Sequence, residues 1–233
     1  MAIQDTLSRS VLKSKSVLGR LPDEAIDVLV GRARHVRFGK GEMLYRRGDE
    51  GDSLMVILAG RVKISNITDD AREVVLNFLG PGDLNGEIAV LDGKGRSADA
   101  TALEPTEAAL IHRRDLFAVL ERYPAALLGI VSVLASKLRM ASAMVEHGLL
   151  QMSAKAAHGL LRLAALHGRE AADGTHLDIK LSQKDLGSYL GLSRENTSRE
   201  LGRLREAGLV RTEDGEIIIT DRQGLEDWAS AAG

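Results

Sequence analysis

The 233-residue chain predicts an α+β fold in three parts: an N-terminal β-roll, a long helix, and a C-terminal winged helix-turn-helix. Three observations carry that prediction. Short apolar runs broken by glycines fill the first half. A heptad of apolar residues follows. Two short capped helices and a hairpin signal close the chain. The expected boundaries are 1–120 for N-terminal helices plus β-roll, 121–150 for the long helix, and 151–233 for the last unit.

Composition narrows the classes before any motif is read. Hydrophobic residues make up 44 %, enough to form a core. The net charge is −2, so a nucleic-acid partner has to be argued from a local patch. The absence of cysteine removes disulfides, thiolate zinc sites and cysteine-ligated clusters. The six histidines are scattered, and no metal site is expected. The first residues lack the apolar stretch of a signal peptide. The longest charge-free apolar run, 124–136, is too short to cross a bilayer. A cytoplasmic protein with no membrane partner is expected.

Residues 1 to about 33 have apolar positions at helical spacing. From Val36 to Ile111 the runs MLYRRG, LMVILAG, RVKISNI, EVVLNFLG and TEAALIH read as strands between glycine turns, an antiparallel sandwich or roll. Within this region GEIAVLDGKGRSADA (86–100) brings together an acid, a flexible loop and an Arg-Ser pair. Two readings fit: a hairpin bridged by Glu87 and Arg96, or a site for a small anion.

Beyond Pro124, which suits a first helical turn, Leu127, Val131, Leu134, Leu138, Ala141, Val145 and Gly148 recur at spacings of 4 and 3. This seam fits a parallel two-stranded coiled coil, hence a homodimer, or a helix packed on its own core. About 25 residues of helix would be roughly 37 Å long.

From residue 152, SAKAAHGLLRLAALHG reads as an amphipathic helix stopped by Gly168, and HLDIKL as a strand. Ser182 caps a helix from Gln183 to Leu190, and Gly191 makes the turn. Ser193 caps a second helix from Arg194 to Ala207, which Gly208 ends. A hairpin through Asp214 and Gly215 adds the wing. On the second helix Thr197, Leu201 and Leu204 share the inner arc, while Arg194, Glu195, Ser198, Arg199 and Gly202 fall on the opposite arc near its N-terminal end, and the cap Ser193 joins them as a candidate DNA contact. Arginine suits guanine O6/N7, and glutamate suits cytosine N4. Residues 180–212 hold seven Lys/Arg and four Asp/Glu, a local +3. Double-stranded DNA is the expected partner, and a winged helix used for protein contacts is the alternative. Thr197 and Glu200 stand where larger apolar residues would pack better, and Glu200, at the border of the apolar arc, is expected in solvent.

This order of parts resembles the CRP/FNR superfamily of bacterial transcription regulators, from about Leu21 to Thr220. The resemblance implies a cyclic-nucleotide-binding-like double-stranded β-helix, a dimerisation helix and a DNA-reading domain. It implies that Arg194, Glu195 and Arg199 read base edges in each half of a palindrome, with Ser198 matching a serine of the FNR branch. RNA polymerase is the further implied partner. Residues 86–98 resemble the family's phosphate-binding cassette. By that match Gly86, Glu87, Ile88 and Ala89 open a short helix toward a cyclic phosphate, Glu87 accepts from the ribose 2′-OH, and Arg96 and Ser97 hold the phosphate. Ala141 and Ser142 match the pair that contacts the base, and Ala141 cannot hydrogen-bond. The implied effector is cAMP or cGMP, with no obligatory cofactor. A regulator needing no nucleotide is the alternative. An enzyme built on Glu87, Asp92 or a histidine lacks any paired-carboxylate, triad or phosphate-loop arrangement.

Overall fold

The computed structural model describes residues 2–14 and 16–231. The chain packs as two compact units, 1–138 and 139–233. Their boundary falls within a single helix.

The first unit opens with helix α1 (Ala2–Ser14), a 3-10 turn (Val17–Arg20) and α2 (Asp23–Arg32). Eight strands follow: β1 (Arg34–Phe38), β2 (Met43–Tyr45), β3 (Ser53–Ala59), β4 (Val62–Ile67), β5 (Glu73–Leu79), β6 (Leu84–Asn85), β7 (Asp99–Ala102) and β8 (Thr106–His112). They form two antiparallel four-stranded sheets, ordered β1-β8-β3-β6 and β2-β7-β4-β5. The short α3 (Glu87–Asp92) interrupts them between β6 and β7. This is the expected roll.

Strand β3 shows why the run SLMVILA is continuously apolar. Its alternate residues are buried in two different cores. Leu54, Val56 and Leu58 join Ala109 and Ile111 beneath α1, α2 and α4 (Arg113–Arg122). Met55 and Ile57 pack with Val62, Leu79 and Ala100 between the two sheets. Strands β1, β6 and β7 were not among the runs read from sequence, being short or charged.

The long helix α5 runs from Ala126 to Gly148. It begins two residues after Pro124, which lies in the preceding turn. Ala126, Gly129 and Ile130 are buried, and Leu134 is partly buried against the core under α4. Leu127, Leu128, Val131, Leu138 and Val145 are 44–72 % exposed. By length and composition α5 would suffice to cross a membrane. Lys137 and Arg139 lie midway along it, where an apolar bilayer would penalise them.

The second unit holds α6 (Met152–His167), α7 (Gln183–Leu190), α8 (Arg194–Glu206), α9 (Arg222–Ala231) and strands β9 (Gly168–Ala171), β10 (Gly174–Leu177), β11 (Val210–Glu213) and β12 (Glu216–Ile219), paired in the order β11-β12-β10-β9. The capping residues act as expected. Ser182 accepts from Asp185 N at 3.0 Å, and Ser193 from Asn196 N at 3.2 Å. A Cβ on Gly187 would sit 2.9 Å from Leu192 O and 3.0 Å from Thr197 Oγ1, so α7 and α8 meet closely there. Asp214 and Gly215, both at positive φ, turn β11 (Val210–Glu213) into β12 (Glu216–Ile219). The strand expected at 176–181 lies instead at Gly174–Leu177 (β10), paired with β9 (Gly168–Ala171). Asp178 and Ile179 turn away, Asp178 N bonding to His167 O. Helix α9 packs on α6, with Trp228 Nε1 donating to Ser153 Oγ at 2.7 Å.

His176 on β10 donates to Asp173 at 3.0 Å and lies 3.4 Å from Glu216. The Asp173 hydrogen bond, reinforced by Glu216 and opposed by burial, raises the His176 pKa above 6.5. The same bond, aided by Arg211 against burial, lowers Asp173 from 3.8 to about 2. The histidine's contribution is complete below pH 6.5 and is lost as pH rises through its raised value. The aspartate's is complete above 3.8 and is lost as pH falls toward about 2. Unfolding of this unit can be followed by Trp228, the chain's only tryptophan. The wild-type advantage over H176Q is expected to be greatest between pH 3.8 and 6.5 and to shrink on either side.

Candidate functional sites

The first site forms where β6 enters α3. Gly86 takes the left-handed conformation (φ 83°) and caps α3. A Cβ there would lie 2.1 Å from Arg96 Nη1, so glycine is needed for the conformation and for the space. Arg96 is 5 % exposed. Its Nη1 donates to Ser53 O at 2.7 Å and Gly86 O at 3.1 Å, and its Nη2 to Ser53 Oγ at 3.3 Å. The guanidinium lies over the Tyr45 ring, 4.3 Å from its centroid, in cation–π contact. Tyr45 donates its hydroxyl to Asn85 Oδ1. Burial raises the Tyr45 pKa, so the phenol stays protonated.

Glu87 is 2 % exposed, and Lys137 of α5 donates to its Oε1 at 2.6 Å. Glu87 and Arg96 thus have separate partners, and the hairpin bridged by these two residues is not formed. Three buried polar atoms gather on adjoining residues without a partner among the described residues: Glu87 Oε2, Arg96 Nε and Asn85 Nδ2. Such atoms are costly unless something satisfies them. They supply one acceptor and two donors at a single corner of the roll, a set that fits a ligand carrying both hydroxyl and anionic groups.

Of the other cassette residues, Ala89 is buried, whereas Ile88 and Ser97 are exposed. Ala141 and Ser142 are exposed on the part of α5 that belongs to the second unit. Sequence reasoning missed Tyr45, Ser53, Asn85 and Lys137, because they lie far from the cassette in sequence or outside the matched motif.

The second site is α8. Thr197, Leu201 and Leu204 are buried, and Ser193, Arg194, Glu195, Ser198 and Arg199 are exposed, as the helical projection requires. Thr197 is accommodated by donating its hydroxyl to Ser193 O at 2.9 Å. Glu200 departs from expectation: it is 2 % exposed rather than solvated. Arg203 Nη1 donates to both of its oxygens, at 3.1 and 3.3 Å. Paired in this way, the carboxylate is tolerated out of water.

A β-roll, a long helix and a winged helix-turn-helix in this order are the architecture of an effector-controlled DNA-binding regulator. Residues 35–123 match the cyclic nucleotide-binding domain profile, and residues 154–228 match the Crp-like helix-turn-helix domain profile. The chain is 29 % identical to the cyclic AMP receptor protein of Thermus thermophilus, over 94 % of this chain and 98 % of that one. It is 29 % identical to the transcriptional activator protein anr of Pseudomonas aeruginosa, covering 90 % and 84 % respectively. Among solved structures, FixK2 of Bradyrhizobium japonicum shares the fold with a TM-score of 0.75 at 24 % identity, covering 84 % of this chain and 96 % of that one. The two domain profiles, which together span most of the chain, and these relatives make it a CRP/FNR-type DNA-binding transcription regulator.

Substituting Lys137 by methionine would leave Glu87 buried with neither oxygen paired. Lys137→Met is expected to destabilise the roll by about 1–3 kcal/mol, measured as a lower denaturant midpoint with an unchanged slope.

Proposed function

We propose that the chain is a homodimeric, cytoplasmic transcription regulator whose β-roll takes a cyclic nucleotide, cAMP or cGMP, and whose α8 helices read a palindromic site. The carrying observation for the effector is the trio of buried unpartnered atoms, Glu87 Oε2, Arg96 Nε and Asn85 Nδ2. The carboxylate would accept from the ribose 2′-OH. The guanidinium, turned from the Ser53 and Gly86 carbonyls, would meet the phosphate together with Ser97. Gly86, Ile88 and Ala89 would line the phosphate end. The Thermus relative, named as a cyclic AMP receptor, supports the same reading.

A second reading keeps DNA binding and dispenses with the nucleotide. It is favoured by the closed state of the corner, where Arg96 already bonds to Ser53 and Gly86 and Glu87 to Lys137. Titration calorimetry separates the two. Heat on adding cAMP or cGMP, abolished by Arg96→Ala, is expected on the first reading. A folded wild-type protein giving no heat with either nucleotide would leave the second.

For assembly, α5 presents Leu127, Val131, Leu138 and Val145 along one exposed seam, continued by Ala141. Leu134 belongs to the same heptad but also packs against the N-terminal core. Pairing two such helices would bury this stripe and set two recognition helices on one operator, with half-sites a helical turn apart. RNA polymerase would be met from the bound dimer. Leu138→Lys is expected to give a monomer in analytical ultracentrifugation and to weaken operator binding at least tenfold, since one half-site is then lost.

A further inference from the structure

Glu200 is the residue of the recognition helix that base reading alone leaves unexplained. A carboxylate 2 % exposed on a DNA-facing helix opposes phosphate binding by its charge and loses hydration by its burial. An apolar side chain would fill the same arc without either cost. What the carboxylate does is collect arginines. Arg203 donates to both oxygens, at 3.1 and 3.3 Å, and Arg199 Nε lies 3.7 Å from Oε1. Arg199 has a second tether, its Nη2 donating to Asn196 Oδ1 at 2.7 Å. Arg199 and Arg203 are one turn apart, on the same side of α8, and their side chains are 52 % and 55 % exposed.

We infer that Glu200 is a positioning residue of the DNA interface. From inside the fold it fixes the direction in which Arg199 leaves the helix and holds Arg203 beside it as a further phosphate contact. The inference rests on Arg199 reading a base. An arginine free in water occupies many rotamers, and ordering it opposes binding. A guanidinium with Nε 3.7 Å from the Glu200 carboxylate, and with Nη2 donating to Asn196 Oδ1 and, at 3.9 Å, to Met152 Sδ, is partly ordered beforehand. A pre-aimed fork favours a base that offers two acceptors and gains little from one that does not. Glu200 therefore raises discrimination between bases while its negative charge lowers general attraction to DNA. Those two effects have opposite signs, and a residue that merely filled space would show neither.

The test uses the full chain, with an operator obtained by selection from random DNA and Arg199→Ala to identify the base pair that Arg199 reads. Glu200→Leu, an apolar replacement, and Glu200→Gln, a near-isosteric neutral one, are compared with wild type. Discrimination at that base pair is expected to fall about 5–50-fold in Glu200→Leu, the size of coupling between neighbouring charged groups, and less in Glu200→Gln. Affinity for unrelated DNA is expected to be unchanged or higher in both. Equal losses on operator and unrelated DNA, or wild-type discrimination in both variants, would overturn the inference while leaving Arg199 as a reader. If Glu200→Leu fails to fold by circular dichroism, Glu200→Gln decides alone, and unchanged discrimination overturns the inference. Wild-type base preference in Arg199→Ala would remove the reading of Arg199 and the inference with it.

Discussion

The ion pair between Glu87 and Lys137 is the constraint around which the sensing half of the molecule is arranged. A carboxylate only 2 % exposed needs a cation, and the cation comes from α5, fifty residues further along the chain. That pair ties the cassette to the helix carrying the exposed apolar seam. It leaves one carboxylate oxygen unused, so the same group serves the fold and remains available for chemistry. Arg96 repeats the pattern, with both Nη atoms and its π face engaged while Nε is unpartnered. Buried charges satisfied only in part are costly to a fold and favour any ligand that completes them.

The two sites differ in how far sequence revealed them. Helices α7 and α8 are specified by their own neighbours: Ser182 and Ser193 cap, Gly191 turns, Gly208 stops, and every one of those contacts spans a few residues. Such chemistry is readable from a window of the chain. The cassette is recognisable as a motif, yet its working geometry is not local. Arg96 depends on Ser53, 43 residues away, and on the ring of Tyr45 from a different sheet. Nothing in the segment 86–100 indicates that Glu87 and Arg96 ignore each other in favour of distant partners.

Glu200 failed for another reason. A helical projection sorts residues by polarity and sends a charged one to solvent. It cannot register that a nearby arginine is long enough to pair with a carboxylate inside the apolar arc. Thr197 is the milder case, buried because its hydroxyl returns to Ser193 O one turn back. Both sit on the helix with the sharpest functional signal, where departures from plain packing are expected to cluster. The displaced strand near His176 is a boundary effect: Asp178 leaves the ladder to bond His167 O, which no alternation pattern encodes.

A switch between two states can move only as far as its ligand distinguishes them. On the proposed reading the distinction would be made at the corner formed by Glu87 and Arg96. An anionic ligand that took both Nη atoms of Arg96 would draw the guanidinium from the carbonyls of Ser53 and Gly86, and a hydroxyl on Glu87 would share the carboxylate with Lys137. The first exchange would alter the turn that caps α3. The second would alter the charge seen by α5 at Lys137. Helix α5 is continuous from Ala126 to Gly148, so on the proposed reading a change in how Lys137 is held would be felt by the helix that carries the exposed apolar seam. Coupling of a few kcal/mol, the usual size between linked sites, is within what the making or breaking of one buried ion pair supplies.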